Sequence, residues 1–251
     1  MGLAANVVRA QIEAALEKRF PGALSPRQAI EPEAVPFGIP ELDRQELGIL
    51  RGCVTEICGP TSSGRTTLML AAIREVTQRG ECCALVDTNS SFDPHSAAAN
   101  GVNLKNLLVV RCAAPHSKLT PVDKALQAVS MIVHDGGFGL VILDLGDVRV
   151  DLARKIPMSH WYSFRRAVES TNSCFVVVEQ HPFVKSCAAQ VITVRSSDAE
   201  WLTTRNQPKG PKLLTGVRFV AEVSHSRINL SHRKPPGFAG TPFHVVTPWA
   251  G

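Results

Sequence analysis

The sequence predicts an α/β fold in which helices cover both faces of a mostly parallel sheet. The chain has 251 residues, of which 44% are hydrophobic, which is enough to bury one principal core. Apolar runs typical of buried strands alternate with stretches of helical periodicity. Four of these runs occupy residues 54–58, 84–87, 140–144 and 175–180. No second enzyme domain fits beside such a core.

A phosphate-binding loop is predicted directly after the first of these strands. It consists of Gly59, Pro60, Thr61, Ser62, Ser63, Gly64, Arg65, Thr66 and Thr67. The stretch matches the pattern G-x-x-x-x-G-K-[ST] except at Arg65, and residues 66–79 have the pattern of a following helix. Backbone N–H groups in such a loop bind phosphate oxygens, and the Thr66 hydroxyl can bind Mg²⁺. We therefore expect ATP or ADP, and Mg²⁺, as candidate cofactors.

Arginine at position 65 keeps the positive charge of lysine, but its guanidinium is planar, longer and forked. It cannot simply replace an ammonium group packed between two phosphates. We expect nucleotide binding to survive this change better than hydrolysis does.

The chain resembles the RecA recombinase family at this loop and at the strand that follows. The loop is similar to the family's GPESSGKTT, and residues 85–94 are similar to its segment IDAEHALDP. In that register Asn89 occupies the position of the catalytic glutamate, and an amide cannot accept a proton from water near neutral pH. The resemblance therefore implies very weak or absent ATPase activity. The alternative is that Arg65 or Asn89 is a tolerated variant.

Two further residues match RecA-like roles at the ends of apolar strands. Asp144 ends the run 140–144 in the Walker B manner and would hold Mg²⁺ through water. Gln180 ends the run 175–180, where the resemblance implies a glutamine that senses the γ-phosphate and leads into a DNA-binding loop. The segment that follows Gln180 is short, which argues against strand exchange of the RecA type.

A short amphipathic helix is predicted near the N-terminus, ahead of a proline-rich linker. Its apolar stripe includes Ile12, Leu16 and Phe20. The resemblance implies that this helix joins protomers of a homo-oligomer, with Arg227 near the interface, although packing on its own domain is equally compatible with the pattern. We predict an N-terminal helix and linker at 1–40, a RecA-like core at 41–232 and a flexible tail at 233–251, without a RecA-type C-terminal domain.

Positive charge concentrates in the last 51 residues, where seven Lys and Arg face Glu222 alone, a balance of 7 − 1 = +6 within a net charge of +5. Such a segment indicates contact with a phosphate backbone, a protein docking surface or a solvated face. A second basic stretch lies near Trp161 and Tyr162, although the spacing of Trp161 favours core packing. The candidate nucleic-acid contacts are Lys209, Lys212, Arg233 and Lys234 in the first segment, and Arg154, Lys155, Arg165 and Arg166 in the second.

The remaining composition narrows the class of protein. The seven cysteines lie mostly in or beside apolar strands without C-x-x-C pairs, which favours small core residues over a zinc site or disulfides. No run approaches the roughly 18 apolar residues of a membrane span, and no signal peptide is evident. We therefore expect a cytoplasmic protein without a membrane partner.

Three functions compete on these observations. The first is a RecA-fold adaptor in the SOS response and translesion mutagenesis, similar to the ImuA accessory proteins. Its partners would be an ImuB-like polymerase accessory or RecA, and single-stranded DNA. The second is an active ATP-dependent recombination or repair ATPase, in which another carboxylate such as Asp93 or Glu179 restores the base. The third is a RecA-fold regulator that does not act on DNA.

Overall fold

The computed structural model describes residues 14, 15, 18, 19, 32–113, 119–201, 213–226 and 240–246. The chain divides into two compact units, Met1–Glu31 and Pro32–Gly251. In the first unit the described residues are helical and exposed. Several predicted contact residues lie outside the described part of the chain, namely Ile12, Leu16, Phe20, Lys209, Lys212, Arg227, Arg233 and Lys234.

Strands of the second unit form a small sheet and a large one. The small antiparallel sheet pairs β1 (Ala34–Pro36) with β2 (Gly48–Leu50). The large sheet contains β3 (Val54–Cys58), β4 (Cys83–Asp87), β5 (Leu107–Arg111), β6 (Leu140–Asp144), β7 (Cys174–Glu179), β8 (Gln190–Trp201), β9 (Leu214–Ser226) and β10 (Thr241–Val246). Its strand order is β10-β9-β8-β3-β7-β6-β4-β5. The six strands from β8 to β5 are parallel, β9 is antiparallel to β8, and β10 is antiparallel to β9.

Helices cover both faces of this large sheet, which confirms the predicted fold class. They are α1 (Pro40–Asp43), α2 (Arg65–Gln78), α3 (Pro94–Ala99), α4 (Pro121–Asp135), α5 (Val150–Ala153) and α6 (Met158–Glu169). Short 3-10 turns occupy Leu104–Asn106 and Lys185–Cys187. Helix α2 contributes to the hydrophobic core on one face, and α4 and α6 contribute to the core on the other.

The two cores explain why the strands read as unbroken apolar runs in the sequence. Strands β3, β4 and β7 are buried on both faces, so neither set of alternating side chains meets water. Trp161 is only 1% exposed, and its ring packs edge-on against Phe164. Trp161 is therefore a core residue, the use that its helical spacing favoured.

The C-terminal third differs from the sequence interpretation. Apolar or alternating runs at 191–194 and 200–203 favour two separate strands, whereas the structure has one strand, β8, that continues to Trp201. Its second half is exposed, so the polar run 196–198 gave no apolar signal. Residues 241–246, assigned to a flexible tail from the sequence, form β10 and pair with β9. Phe243 anchors this strand, because it is 2% exposed and its ring lies 5.4 Å from that of Phe219.

None of the seven cysteines, all of which lie in the described ranges, forms a disulfide, and five of them are buried, as the sequence suggested for core residues. Cys82 is exposed and Cys53 is partly buried. Within the described ranges, none of the helices has the length and apolar character needed to cross a membrane.

Candidate phosphate-binding site

Residues 59–64 connect β3 to α2 and are called the phosphate loop below. Gly64 has a φ of 96°, and a Cβ added there would lie 2.8 Å from Cδ1 of Phe219. A Cβ on Gly59 would collide with the carbonyl oxygen of Val194. Both glycines are therefore required by close approach, and Gly64 also by its left-handed backbone. No side chain caps the start of α2, so its first N–H groups remain available to an anion.

The hydroxyl groups of the loop also suit a phosphate ligand. Ser63 is 1% exposed, and its Oγ has no hydrogen-bond partner among the described residues. A buried hydroxyl without a partner costs about 1–3 kcal/mol, so its presence beside the free N–H groups favours a ligand that satisfies it. Thr66 is exposed and Thr67 is half-buried. The loop thus has the polar groups that its sequence predicts for phosphate oxygens.

Arg65 turns away from solvent and reaches the strand that carries Asp144. Its side chain is only 8% exposed, and its Nη1 donates a hydrogen bond to the Gly146 carbonyl at 3.3 Å. The Nε2 of Gln180 donates to the same carbonyl at 3.1 Å. The Gly146 carbonyl oxygen, just after β6, therefore accepts hydrogen bonds from residues that follow β3 and β7. The structure brings Arg65, Asp144 and Gln180 to one corner of the sheet.

Asp144 ends β6 and is held by its neighbour. Its Oδ1 accepts a hydrogen bond from the Gly146 N–H at 2.8 Å. Burial, together with the nearby Asp87 and Asp147, raises the pKa of Asp144 to about 6, although the hydrogen bond from Gly146 and the guanidinium of Arg65 lower it. A Cβ added to Gly146 would lie 3.0 Å from this Oδ1 and 3.3 Å from Nη1 of Arg65. The carboxyl and the guanidinium are therefore near neighbours.

Asn89 lies on the other side of this corner, after β4. It is exposed, and it lines a cavity of about 370 Å³ together with Asp147 and Lys155. The preceding Asp87 shapes the turn, because it accepts hydrogen bonds from the N–H groups of Ser91 at 3.1 Å and Phe92 at 2.8 Å. In the described part of the chain, no hydrogen bond connects Asn89 with Arg65.

Sequence reasoning missed one pair of buried carboxyl groups as a unit, Glu56 on β3 and Glu179 on β7. Both side chains are 0% exposed. The Oε1 of Glu56 accepts from the N–H groups of Phe183 at 2.9 Å and Val184 at 2.6 Å. Burial raises the pKa of Glu179 well above its ordinary value, and the neighbouring carboxyl of Glu56 raises it as well. The available signal was a carboxylate inside each of two otherwise apolar strands.

Neither carboxyl that the sequence offered as a replacement base is free for that task. Asp93 caps α3, where it accepts from the N–H groups of His95 and Ser96, both at 3.0 Å. Glu179 faces Glu56 and is closed off from water.

The predicted basic contacts of the described chain lie on and before α6. Arg154, Lys155 and Arg166 are exposed. Arg165 forms an ion pair with Glu169 at 2.6 Å. Tyr162 is 52% exposed, and its hydroxyl lies 3.2 Å from Oγ of Ser186, in the segment after Gln180. Arg166 follows Tyr162 by one turn of α6, so a positive charge and an aromatic ring share one face of this helix.

A magnesium ion fits this corner less well than phosphate does. The part of the chain that the structure describes contains no group of three or more His, Cys, Asp or Glu placed to hold a metal. Thr66 and Asp144 supply oxygen atoms of the kind that Mg²⁺ prefers. However, the guanidinium of Arg65 already places a positive charge beside the Asp144 carboxyl.

Comparisons with known proteins agree with this architecture. A family model described as the RecA N-terminal domain matches residues 7–153, more than half of the chain. RecA of Synechococcus sp. (strain CC9902) is 37% identical over 142 residues, which are 56% of this chain and 36% of that protein. RecA of Ectopseudomonas oleovorans is 31% identical over 147 residues, 53% of this chain and 40% of that protein. The chain thus spans less than half the length of these relatives.

Proposed function

We propose that this chain, which belongs to the RecA N-terminal domain family, is a nucleotide-binding protein of DNA recombination and repair. The observation that carries the proposal is the phosphate loop. The helix that follows it starts without a side-chain cap, and the buried Ser63 hydroxyl has no hydrogen-bond partner among the described residues. Arg65, the first residue of this helix, reaches the Gly146 carbonyl. Backbone N–H groups at the start of α2 would bind the phosphates of ATP or ADP, and the Ser63 hydroxyl would donate a hydrogen bond to a phosphate oxygen. Hydrolysis, unlike binding, would in addition need Mg²⁺ beside Thr66 and Asp144 to neutralise phosphate charge.

An ATP-dependent recombination or repair ATPase is the version that the comparisons favour. The support is that the matched relatives are RecA proteins, at 31% to 37% identity. The matched segment, residues 7–153, includes both the phosphate loop and Asp144. Because Asn89 has no basic group and Asp93 and Glu179 are engaged, we expect its turnover to be slow.

An adaptor in translesion mutagenesis is the second candidate, and the contact of Arg65 with Gly146 supports it. A side chain held by the protein's own backbone suits a site that binds nucleotide without hydrolysing it. An ImuB-like polymerase accessory or RecA would then be the partner. A RecA-fold regulator that does not act on DNA is the third.

Phosphate release from ATP, with and without single-stranded DNA, separates these candidates. The ATPase requires turnover that Asp144→Ala abolishes, because that change removes the Walker B carboxyl. The adaptor requires release near background, since losing a general base typically costs about 10²–10⁴ in rate. The regulator requires in addition that the protein passes through a single-stranded DNA column at moderate salt without retention.

A further inference from the structure

The guanidinium of Arg65 lies at the position from which a bound cation would act. It extends from the first residue of α2 to the end of β6, where Nη1 donates to Gly146. Its neighbour there is Oδ1 of Asp144, and both atoms lie within 3.0–3.3 Å of the position that a Gly146 Cβ would take. The gap between phosphate loop and Walker B strand is therefore already bridged by a positive charge.

The alternative metal site is weakened by the same contacts. One oxygen of Asp144 is engaged by the N–H of Gly146 at 2.8 Å. A divalent cation would have to approach this carboxyl against the positive charge of the Arg65 guanidinium. Magnesium also gives up its water molecules reluctantly, so a fixed guanidinium has the advantage of needing no dehydrated ion.

The Arg65 guanidinium has more N–H groups than its hydrogen bond to Gly146 uses. Arginine carries five N–H groups in a planar fork that matches phosphate oxygens in pairs. The hydrogen bond to Gly146 uses one of them. The remaining groups extend the row of donors that begins with the backbone N–H groups of α2, which no side chain caps.

From these contacts we infer that Arg65 replaces the divalent cation, so that the phosphate loop binds ADP or ATP with little dependence on Mg²⁺. The inference rests on the proposed nucleotide-binding function. It specifies the ligand as a nucleoside polyphosphate that arrives free of metal. It also makes Arg65, through its side chain, the residue that sets the metal requirement of the site.

Calorimetric titration of the whole chain with ADP, in excess MgCl₂ and in excess EDTA, tests the inference. The dissociation constant of the wild-type protein should change by less than about threefold between the two buffers. Arg65→Lys should lose about tenfold in EDTA and recover in MgCl₂, because a compact ammonium cannot make paired contacts and one charge-assisted hydrogen bond is worth about tenfold. Arg79→Lys, an exposed residue just after the last residue of α2, is the matched control and should behave as wild type.

The wild-type ratio decides the matter even if Arg65→Lys folds poorly, which thermal unfolding would reveal. A wild-type affinity that falls tenfold or more in EDTA overturns the inference and leaves nucleotide binding standing. Absence of ADP and ATP binding in both buffers overturns the proposed nucleotide-binding function together with the inference.

Discussion

Two neighbouring loops at the same edge of the sheet use their backbone N–H groups in opposite ways. The phosphate loop follows β3 and leaves the first N–H groups of α2 without a side-chain cap. The segment after β7 begins at Gln180, and its N–H groups at Phe183 and Val184 are bound by the protein's own Glu56. β3 and β7 are adjacent and parallel.

The difference shows which of the two loops is prepared for an external anion. Open donors and a buried hydroxyl without a partner have a cost that a phosphate ligand would remove. Donors that already hold a buried carboxyl have no such need, and they fix the chain instead. A RecA-like DNA-binding role for the segment after Gln180 would therefore depend on side chains rather than on free backbone groups.

Removal of the Glu56 carboxyl should produce the largest effect on the free energy of unfolding. Glu56→Ala leaves the N–H groups of Phe183 and Val184, both of which are buried, without their acceptor. We expect the free energy of unfolding to fall by about 3 kcal/mol or more, the usual range for breaking a buried charged network. Urea denaturation measures this. Glu56→Gln is the control, since its amide oxygen keeps an acceptor and should cost about 1 kcal/mol.

Hydrogen exchange locates the effect of Glu56→Ala. The amides of Phe183 and Val184 should exchange faster in this variant, while those of β3 keep their protection. An unfolding free energy within about 0.5 kcal/mol of wild type would mean that Glu56 does not hold this segment.

A side chain at Gly64 should damage the open loop next most severely. Gly64→Ala adds a Cβ that would lie 2.8 Å from the Phe219 ring, on a backbone with a φ of 96°. We expect about 2–3 kcal/mol of destabilisation from strain and overpacking together, and loss of ADP binding. Gly80→Ala is the matched control, because Gly80 has a φ of 82° but nothing within 4 Å of its Cβ position.

The two glycine variants separate contact from backbone strain. Gly80→Ala should cost only about 1 kcal/mol and leave ADP binding unchanged. Equal losses of stability in thermal unfolding would show that the Phe219 contact contributes nothing.

The buried carboxyl pair predicts a smaller, pH-dependent effect. Burial in the folded state raises the pKa of Glu179 well above its ordinary value of 4.5, so the folded protein keeps a proton that the unfolded chain releases. Below pH 4.5 both states are protonated at Glu179, and this residue does not change the free energy of unfolding. As the pH rises from there towards the folded pKa, the free energy of unfolding decreases. Glu179→Gln removes this loss, at about 1.4 kcal/mol for each pH unit in which only the folded state is protonated.

Unfolding at several pH values measures the difference between Glu179→Gln and wild type. The amide variant should gain stability relative to wild type as the pH rises above 4.5, the ordinary pKa of the Glu179 carboxyl, and the two proteins should converge near that pH. Glu169→Gln, at an exposed residue of α6, should show a constant small offset. A flat difference for Glu179→Gln as well would mean that Glu179 is not the proton carrier.

The strands and the phosphate loop were predictable because their signals are local. A strand buried on both faces leaves an apolar run, and the loop has its glycines at fixed spacing. The contact of Arg65 with Gly146 spans 81 residues of sequence, and those of Glu56 with Phe183 and Val184 span 127 and 128. Such contacts depend on which strands become neighbours, and no local pattern reveals that order. Strand β10 was not predicted because it forms by pairing with β9, and its own sequence does not show that partner.

The smallest expected effect is on the affinity for single-stranded DNA of the surface around Tyr162, beside the segment that follows Gln180. Arg154→Glu with Arg166→Glu reverses two exposed charges, and Arg166 lies one turn of α6 from Tyr162. We expect affinity to fall about five- to tenfold and the log–log salt slope to become shallower by about 0.7 for each lost phosphate contact. Arg44→Glu with Arg79→Glu, two exposed arginines outside this surface, is the charge-matched control, measured by fluorescence anisotropy at several salt concentrations.

The two charge-reversed proteins decide where the strand binds. A larger loss in Arg154→Glu/Arg166→Glu than in the control places the contact beside Tyr162, where charge and base stacking act together. Equal, modest losses would indicate only a general charge effect and move the contact to the basic residues between 201 and 251, where the balance is 7 − 1 = +6. Glutamate at Lys209 and Lys212 would then abolish the remaining affinity. Wild-type protein that binds no strand at low salt would instead favour an acidic protein as the partner of that segment.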